Sequence, residues 1–438
     1  MTNLLRILYY LGLAKERLHW DSNKLRMYQE KRLRSVVKYA YDFVPFYHRR
    51  FKDLDIFPDD IKSLNDLKKL PIIKKDEFRN IPLNERVSRE FDVHKLKVVK
   101  TSGSTGKPLS IHLTKAEDDW RKAIYMRANI NCGQKPRDRW VAITAPHHFG
   151  DTTGLQRVLG IYAQTCLSIF DGVDEHIDFL CRFKPHILDG YSGALLLLGR
   201  EVEKRGLKLI QPKIVFGNAD LIDHASRRYL ESVFGAPYCD QFGCAEFDRT
   251  AWNCLEREGY HMDVDSVLFE FVDENGDEVS VGECGEIVNT SLFSFAMPFI
   301  RYSVGDLGRS SDDCCSCGIK LPLMEVVEGR KDSVIVLPDG RLLSPRVFTV
   351  AMGMFRFYSF IEQFRVVQKK VDLFEVYLKM GNLNVDYELV RRELVEHLVK
   401  TLNVEELDLM FDVQFVDNVP LSESGKLMAV VSEVNRSL

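Results

Sequence analysis

From about residue 95 to 240 short β-rich runs (Trp140 to Ile143, His186 to Leu188, Lys213 to Phe216) alternate with helix-like segments at 115–130, 191–205 and 222–234. That alternation constrains the fold most, because strands and helices that take turns along a chain pack as a layered α/β body. With 438 residues, 45% of them hydrophobic, the chain has room for two or three domains and a large core. Ahead of this body, Met1 to Leu13 reads as an amphipathic helix. Residues 23–52 read as helix up to Val44-Pro45, where proline ends it and a linking segment follows.

Residues 266–310 switch to strands punctuated by turns at Asp273-Glu-Asn-Gly276 and Val281-Gly282, as expected of a smaller β-rich subdomain over about 260–330. Beyond it, Asp372 to Leu378 and Leu407 to Phe415 alternate with period two, while Tyr387 to Leu402 places Val390, Leu394, Leu398 and Leu402 on one helical face. The expected organisation is a large multi-subdomain α/β body over 1–330 and a small α+β C-terminal domain over 331–438. There is no internal repeat and no low-complexity tract.

Between a strand ending near Lys100 and a second one, Leu109 to Leu113, lies a loop suited to polyphosphate. Gly103 and Gly106 let main-chain N–H groups approach phosphate oxygens, Thr101, Ser102, Ser104 and Thr105 add hydroxyls, and Lys107 adds a charge. It is not the loop of P-loop NTPases: the first glycine of that pattern would fall at Thr101, and Pro108 stands where Ser or Thr is required. A different class of ATP-handling protein is implied.

The net charge of −4 gives no global basic field, so nucleic acid is not an expected partner. No apolar run approaches the ~18 residues of a membrane span, and the N-terminus lacks a basic stretch and a cleavage site, so a cytoplasmic location is the expectation. Ten cysteines in a long chain of this kind suggest reduced thiols or a metal. Cys254-x₆-His261 followed by Cys315-Ser-Cys317-Gly318 offers three thiols and one imidazole, a set suited to tetrahedral zinc, with Cys314 an alternative to Cys315.

The loop from Thr101 to Pro108 resembles the signature loop of the adenylate-forming enzymes, and further signatures of that family follow in its order. Asp240-Gln-Phe-Gly-Cys-Ala-Glu246 resembles the motif ending in a magnesium-binding glutamate, and Arg301-Tyr-Ser-Val-Gly-Asp306 the ribose-binding motif. Gly329-Arg-Lys-Asp332 resembles the hinge, and Ser424-Gly-Lys426 the turn that carries a C-terminal catalytic lysine. Val44-Pro-Phe-Tyr47 and Leu67-Lys-Lys-Leu-Pro-Ile72 are similar to the phenylacetate-CoA ligase branch and its capsular polysaccharide relatives. Those relatives often carry cysteines and a histidine at the places of Cys254, His261, Cys315 and Cys317.

The resemblance implies a division of labour for ATP-dependent activation of a carboxylic acid. Thr101, Ser102, Gly103, Ser104, Thr105, Gly106 and Lys107 would hold the outer phosphates, Glu246 Mg²⁺, Asp306 the ribose hydroxyls, and Arg330 a contact from the other side. Asn218, Ala219 and Asp220, with Gln241, Phe242 and Gly243, would line the base, and Lys426, swung in about the hinge at Asp332, would serve the adenylation step. CoA is the implied acceptor, with a sugar amine or a carrier-protein thiol as alternatives, and a degenerate, ATP-binding but non-catalytic member as the alternative to an enzyme. Phe242 and Ala245 depart from the pattern, which usually has Tyr and a hydroxyl residue there. Two further segments could border the acid: His147-His148, and Tyr191-Ser192-Gly193, where an N-cap at Ser192 is the structural alternative.

Overall fold

The computed structural model describes residues 3–434 apart from 101–108, 151, 153, 170, 220–221, 223, 257, 329–334, 340–341, 344–347, 349–350, 353, 382–384, 403 and 420–428. Its centre is a single 11-stranded sheet. One half is parallel: β3 (Trp140–Thr144), β4 (Gln164–Ser168), β5 (Ile187–Tyr191), β6 (Ile214–Asn218) and β7 (Tyr238–Cys244), in spatial order 4-3-5-6-7. Every residue of β3 and β5 is buried, the pattern of strands covered on both faces. The helices Val173–Phe183, α9 (Ser192–Lys204) and α10 (His224–Phe234) supply cover through Ile177, Leu180, Leu195, Leu198, Val202 and Leu230.

At β7 the sheet changes character. β8 (Asp248–Asn253) pairs antiparallel with it, and β9 (Tyr260–Met262), β13 (Leu323–Glu328), β12 (Tyr302–Ser311), β11 (Gly285–Ser291) and β10 (Val267–Val272) continue the same sheet, antiparallel throughout. The strands of the β-rich segment therefore extend the sheet of the α/β body, with β7 as the junction. β1 (Lys97–Lys100) and β2 (Ser110–Leu113) form a separate antiparallel pair at the two ends of the phosphate-type loop, whose residues 101–108 lie outside the described ones.

The N-terminal segment differs in one respect from expectation. The helix Ser22–Phe43 ends before Val44, but Pro45 opens a new helix, Pro45–Asp53, instead of a linker. Proline needs no N–H at the first helical position, so it stops one helix and starts the next. The first helix, Leu4–Arg17, lies against α6 (Lys115–Asn131), which starts from a reciprocal cap in which the Thr114 hydroxyl accepts from the Glu117 N–H and the Glu117 carboxylate accepts from that of Thr114.

In the C-terminal part, the strands Ile361–Lys370 and Leu373–Met380 form an antiparallel hairpin flanked in parallel by Val430–Ser432 and Met410–Phe415, respectively. The helix Tyr387–Thr401 buries Val390, Leu394 and Leu398 on its apolar stripe, with Phe374, Val376 and Leu378 in the same core. Arg200 of α9 donates to the Ile361 carbonyl at 2.9 Å, a contact between body and C-terminal sheet. The boundary expected at 330–334 lies outside the described residues. Among those described, no helix is long and apolar enough to cross a membrane.

Candidate functional site

Glu246 sits in the tight connection between β7 and β8 and is 2% exposed. The connection is held by sterics and by α6. A Cβ at Gly243 would come within 2.2 Å of the Asp248 carbonyl oxygen, so only glycine lets the two strands close there. From α6, Arg121 donates to the carbonyls of Ala245, at 3.1 Å, and of Glu246. Arg249 of β8 reaches back to the carbonyls of Tyr125 and Ile124. The helix that leaves the phosphate-type loop through β2 is thus the brace of the Glu246 turn.

The Glu246 carboxylate accepts from the Tyr302 hydroxyl at 3.0 Å and pairs with the Lys75 ammonium at 3.0 Å. Burial raises the carboxyl, but the Lys75 charge and the hydrogen bonds outweigh it, and the net shift is below the ordinary range. Tyr302 opens the strand that carries Asp306, so residues 56 positions apart in sequence meet through one hydrogen bond. Asp306 is half-buried on β12; the half-buried Cys244 thiol is pushed up first of all by desolvation and then by the Glu246 charge, to which Asp306 adds a smaller push.

Neither Lys75 nor Tyr302 is among the site residues expected from sequence. Lys75 stands at the start of the short helix Lys75–Asn80, next to a second lysine, and nothing local separates it from a solvated charge. Tyr302 lies inside the Arg301–Asp306 motif, and a hydroxyl adjacent to a buried strand was the available signal.

Other expected residues distribute as follows. Asn218 and Ala219 lie at the carboxyl end of β6, with Ala219 at φ +68°. Phe242 is half-buried against the core at the β7–β8 junction. Gln241 is 6% exposed and donates its side-chain amide to Asn129 of α6 at 2.8 Å, which ties it to the helix behind the sheet. Ser192 is the first residue of α9, not its cap; its hydroxyl lies 2.8 Å from the Tyr238 hydroxyl and 3.3 Å from the Asn218 carbonyl, to which it donates. His148 is exposed on the short turn Pro146–His148. Thr101 to Lys107, Asp220, Arg330, Asp332 and Lys426 lie outside the described residues.

The cysteine and histidine set assembles. The ligand atoms of Cys254, His261, Cys315 and Cys317 all lie within 4.8 Å of one another. Cys254 follows β8, His261 is the middle residue of β9, and the two cysteines of the third segment precede β13, which pairs with β9 at Leu323↔His261. The Cys254 and Cys315 sulfurs are 3.5 Å apart, and Cys317 Sγ lies 3.3 Å from His261 Nε2. Nδ1 of His261 faces the Leu321 carbonyl at 3.5 Å, which leaves Nε2 for the sulfur side. Glu258 fixes the Cys315–Cys317 turn by accepting from both the N–H and hydroxyl of Ser316 at 2.8 Å. Cys314 is exposed and outside the set.

No family model matches the chain. Among curated proteins it is similar to the phenylacetate-coenzyme A ligase of Thermus thermophilus, 28% identical over 346 residues that cover 76% of each protein. It is 27% identical to that of Pseudomonas putida over 390 residues, 85% of this chain and 83% of the relative. Among solved structures it superposes on 2-hydroxyisobutyryl-CoA ligase in its postadenylation state with a TM-score of 0.78 at 20% identity, covering 95% of this chain and 91% of that one, a likeness of fold. With the ordered motifs and the α/β body already in place, these likenesses support the resemblance to the adenylate-forming enzymes of the phenylacetate-CoA ligase type, and the superposition shows the fold of a CoA ligase.

Proposed function

We propose that the chain joins a carboxylic acid to a thiol at the expense of ATP: it forms an acyl-adenylate with release of pyrophosphate, then passes the acyl group to CoA. The observation that carries this is the meeting of Glu246 and Tyr302 beside Lys75, a contact between the two segments that resemble the magnesium- and ribose-binding motifs. Adenylation brings a carboxylate against a polyphosphate, and two anions react only where positive charge and fixed donors hold them together. Lys75, Lys107 and Lys426 are the chain's own cations for that purpose, with Asp306 and Arg330 orienting the nucleoside.

Mg²⁺ fits this site by donor chemistry. Glu246 is a buried hard-oxygen donor kept anionic, and a magnesium ion held by one carboxylate and by phosphate oxygens would neutralise charge on the nucleotide. The sulfur and imidazole set fits zinc. Burial pushes the thiols of Cys315 and Cys317 up, so a cation would bind with release of their protons. Four protein donors leave no open position, which makes the ion structural: it would tie β8, β9 and the approach to β13 directly behind β7. Purified protein should carry one zinc per chain, and metal content well below that would remove this part of the reading.

The test of the reaction is pyrophosphate release from ATP and Mg²⁺ against pooled carboxylic acids, phenylacetate among them, with hydroxylamine as trap and with or without CoA. Acid-dependent release, a CoA thioester product, and loss of adenylation in Lys426→Ala are the expected results. A protein that binds ATP but releases no pyrophosphate with any acid would sink the ligase reading.

A further inference from the structure

Asp189 is a buried acid with no part in the chemistry described so far. It lies in the middle of β5, is 1% exposed, and is surrounded by neutral donors. One oxygen, Oδ2, accepts from the Tyr125 hydroxyl at 2.8 Å and the Trp140 indole N–H at 3.3 Å; the other, Oδ1, accepts from the side-chain amide of Asn218 at 2.9 Å. Burial pushes the carboxyl up to about 6 against the pull of these donors, so at neutral pH it is an anion with no proton to give.

An anionic carboxylate can only accept, and this decides which way the Asn218 amide faces. Its NH₂ must point to Asp189, and its Oδ1 must point away, at the half-buried carboxyl end of β6. The backbone there is pinned too. Ser192 donates to the Asn218 carbonyl, and a Cβ on the preceding Gly217 would meet the Tyr238 hydroxyl at 1.5 Å.

We propose that Asp189, acting through Asn218, sets the nucleobase preference of the site: the fixed Asn218 oxygen takes a hydrogen bond from a 6-amino purine and rejects a 6-oxo purine. The inference rests on the reading of Asn218 as a neighbour of the base. Asp189 touches no ligand and is a positioning residue. Its replacement has a consequence beyond loss of support. In Asp189→Asn the new amide keeps its oxygen toward Tyr125 and Trp140, both donors, and turns its NH₂ toward Asn218. Asn218 must then flip to accept, and it presents its own NH₂ to the base, the donor that a 6-oxo purine wants.

The experiment compares ATP with ITP in the full-length wild type, Asp189→Asn and Asn218→Ala, by KM and kcat for pyrophosphate release and by the calorimetric affinity of each nucleotide, with thermal midpoints as the folding check. Wild type should favour ATP by about tenfold, the discrimination of roughly one hydrogen bond. Asp189→Asn should lower the ATP:ITP ratio about tenfold or more, mainly through KM and in part by improving ITP; Asn218→Ala should lower it without improving ITP. An unchanged ratio in a folded Asp189→Asn protein overturns the proposal. If that variant does not fold, an unchanged ratio in Asn218→Ala overturns it instead. Should the wild type release no pyrophosphate with any acid, the ligase reading falls, and the calorimetric ratio still decides the base preference.

Discussion

Glu246 and Asp189 are both fully buried acids that accept a tyrosine hydroxyl, from Tyr302 at 3.0 Å and from Tyr125 at 2.8 Å, and they differ in what else they face. Glu246 has the Lys75 ammonium at 3.0 Å; Asp189 has an indole and an amide. Burial raises both, yet the net shift is downward for Glu246 and upward for Asp189. Removal from water therefore does not set the charge state of a buried carboxylate by itself; one cation at contact distance reverses it. Function divides along the same line. Under the proposed function the well-ionised acid serves a divalent cation, whereas the acid held by neutral donors fixes the Asn218 amide.

The strongest way to break the contrast is to strip the cation. Lys75→Met would leave a buried anion with only the Tyr302 hydroxyl and a backbone N–H, a loss of about 4 kcal/mol, and should move the Glu246 carboxyl upward, as burial does for Asp189. Urea unfolding at pH 7 checks this, and the double variant Lys75→Met, Glu246→Gln should regain most of the loss because no unpaired charge remains. Strictly additive losses would show that the two groups do not interact.

Asp189→Asn sharpens the contrast through pH. The folded carboxyl lies at about 6 against an ordinary 3.8, so the native state holds this proton more tightly than the unfolded chain. The resulting stability is fully present below pH 4 and is lost as pH rises through 6, a swing of about 3 kcal/mol that the amide variant should lack. Glu246 runs the other way. Its lowered carboxyl contributes stability above the ordinary carboxylate range, lost as pH falls through the folded value. Unfolding free energies of wild type, Asp189→Asn and Glu246→Gln from pH 4 to 7 should thus diverge in opposite directions, and parallel curves would refute the assignment.

Sequence pattern alone reveals the layers and the elements with local signals. Trp140–Thr144 and Ile187–Tyr191 are apolar runs because both faces are covered, and helix Tyr387–Thr401 carries its buried stripe at helical spacing. The clustering of Cys254, His261, Cys315 and Cys317 was also legible, since thiols and imidazoles are chemically distinctive, and the pairing of β8, β9 and β13 brings them together. Lys75 and Asp189 were not legible. One is a lysine among lysines, and the other a single acid in an apolar strand whose partners stand 64, 49 and 29 residues away. Their roles come from contacts across the sheet and between layers, which no local period encodes. Pro45 shows the converse: the residue was recognised as a breaker, but whether a helix resumes after it depends on Phe46, Tyr47 and Phe51 finding a core.

The smallest expected effect isolates the tyrosines. Tyr302→Phe and Tyr125→Phe each delete one hydroxyl donated to a buried acid, so a difference between them reports the rest of the surroundings. Glu246 keeps its ammonium when Tyr302 is shortened, and the cost should be about 1 kcal/mol. Asp189 keeps only the more distant indole, the amide and the Gly190 N–H when Tyr125 is shortened, and the cost should be about 2 kcal/mol at pH 7. At pH 5 Asp189 is largely protonated, and a neutral acid needs fewer donors, so the Tyr125→Phe cost should shrink while the Tyr302→Phe cost holds. Equal costs at both pH values would mean that the hydroxyls serve packing alone, and that the cation at Glu246 and the neutral cage at Asp189 do not govern how each acid is held.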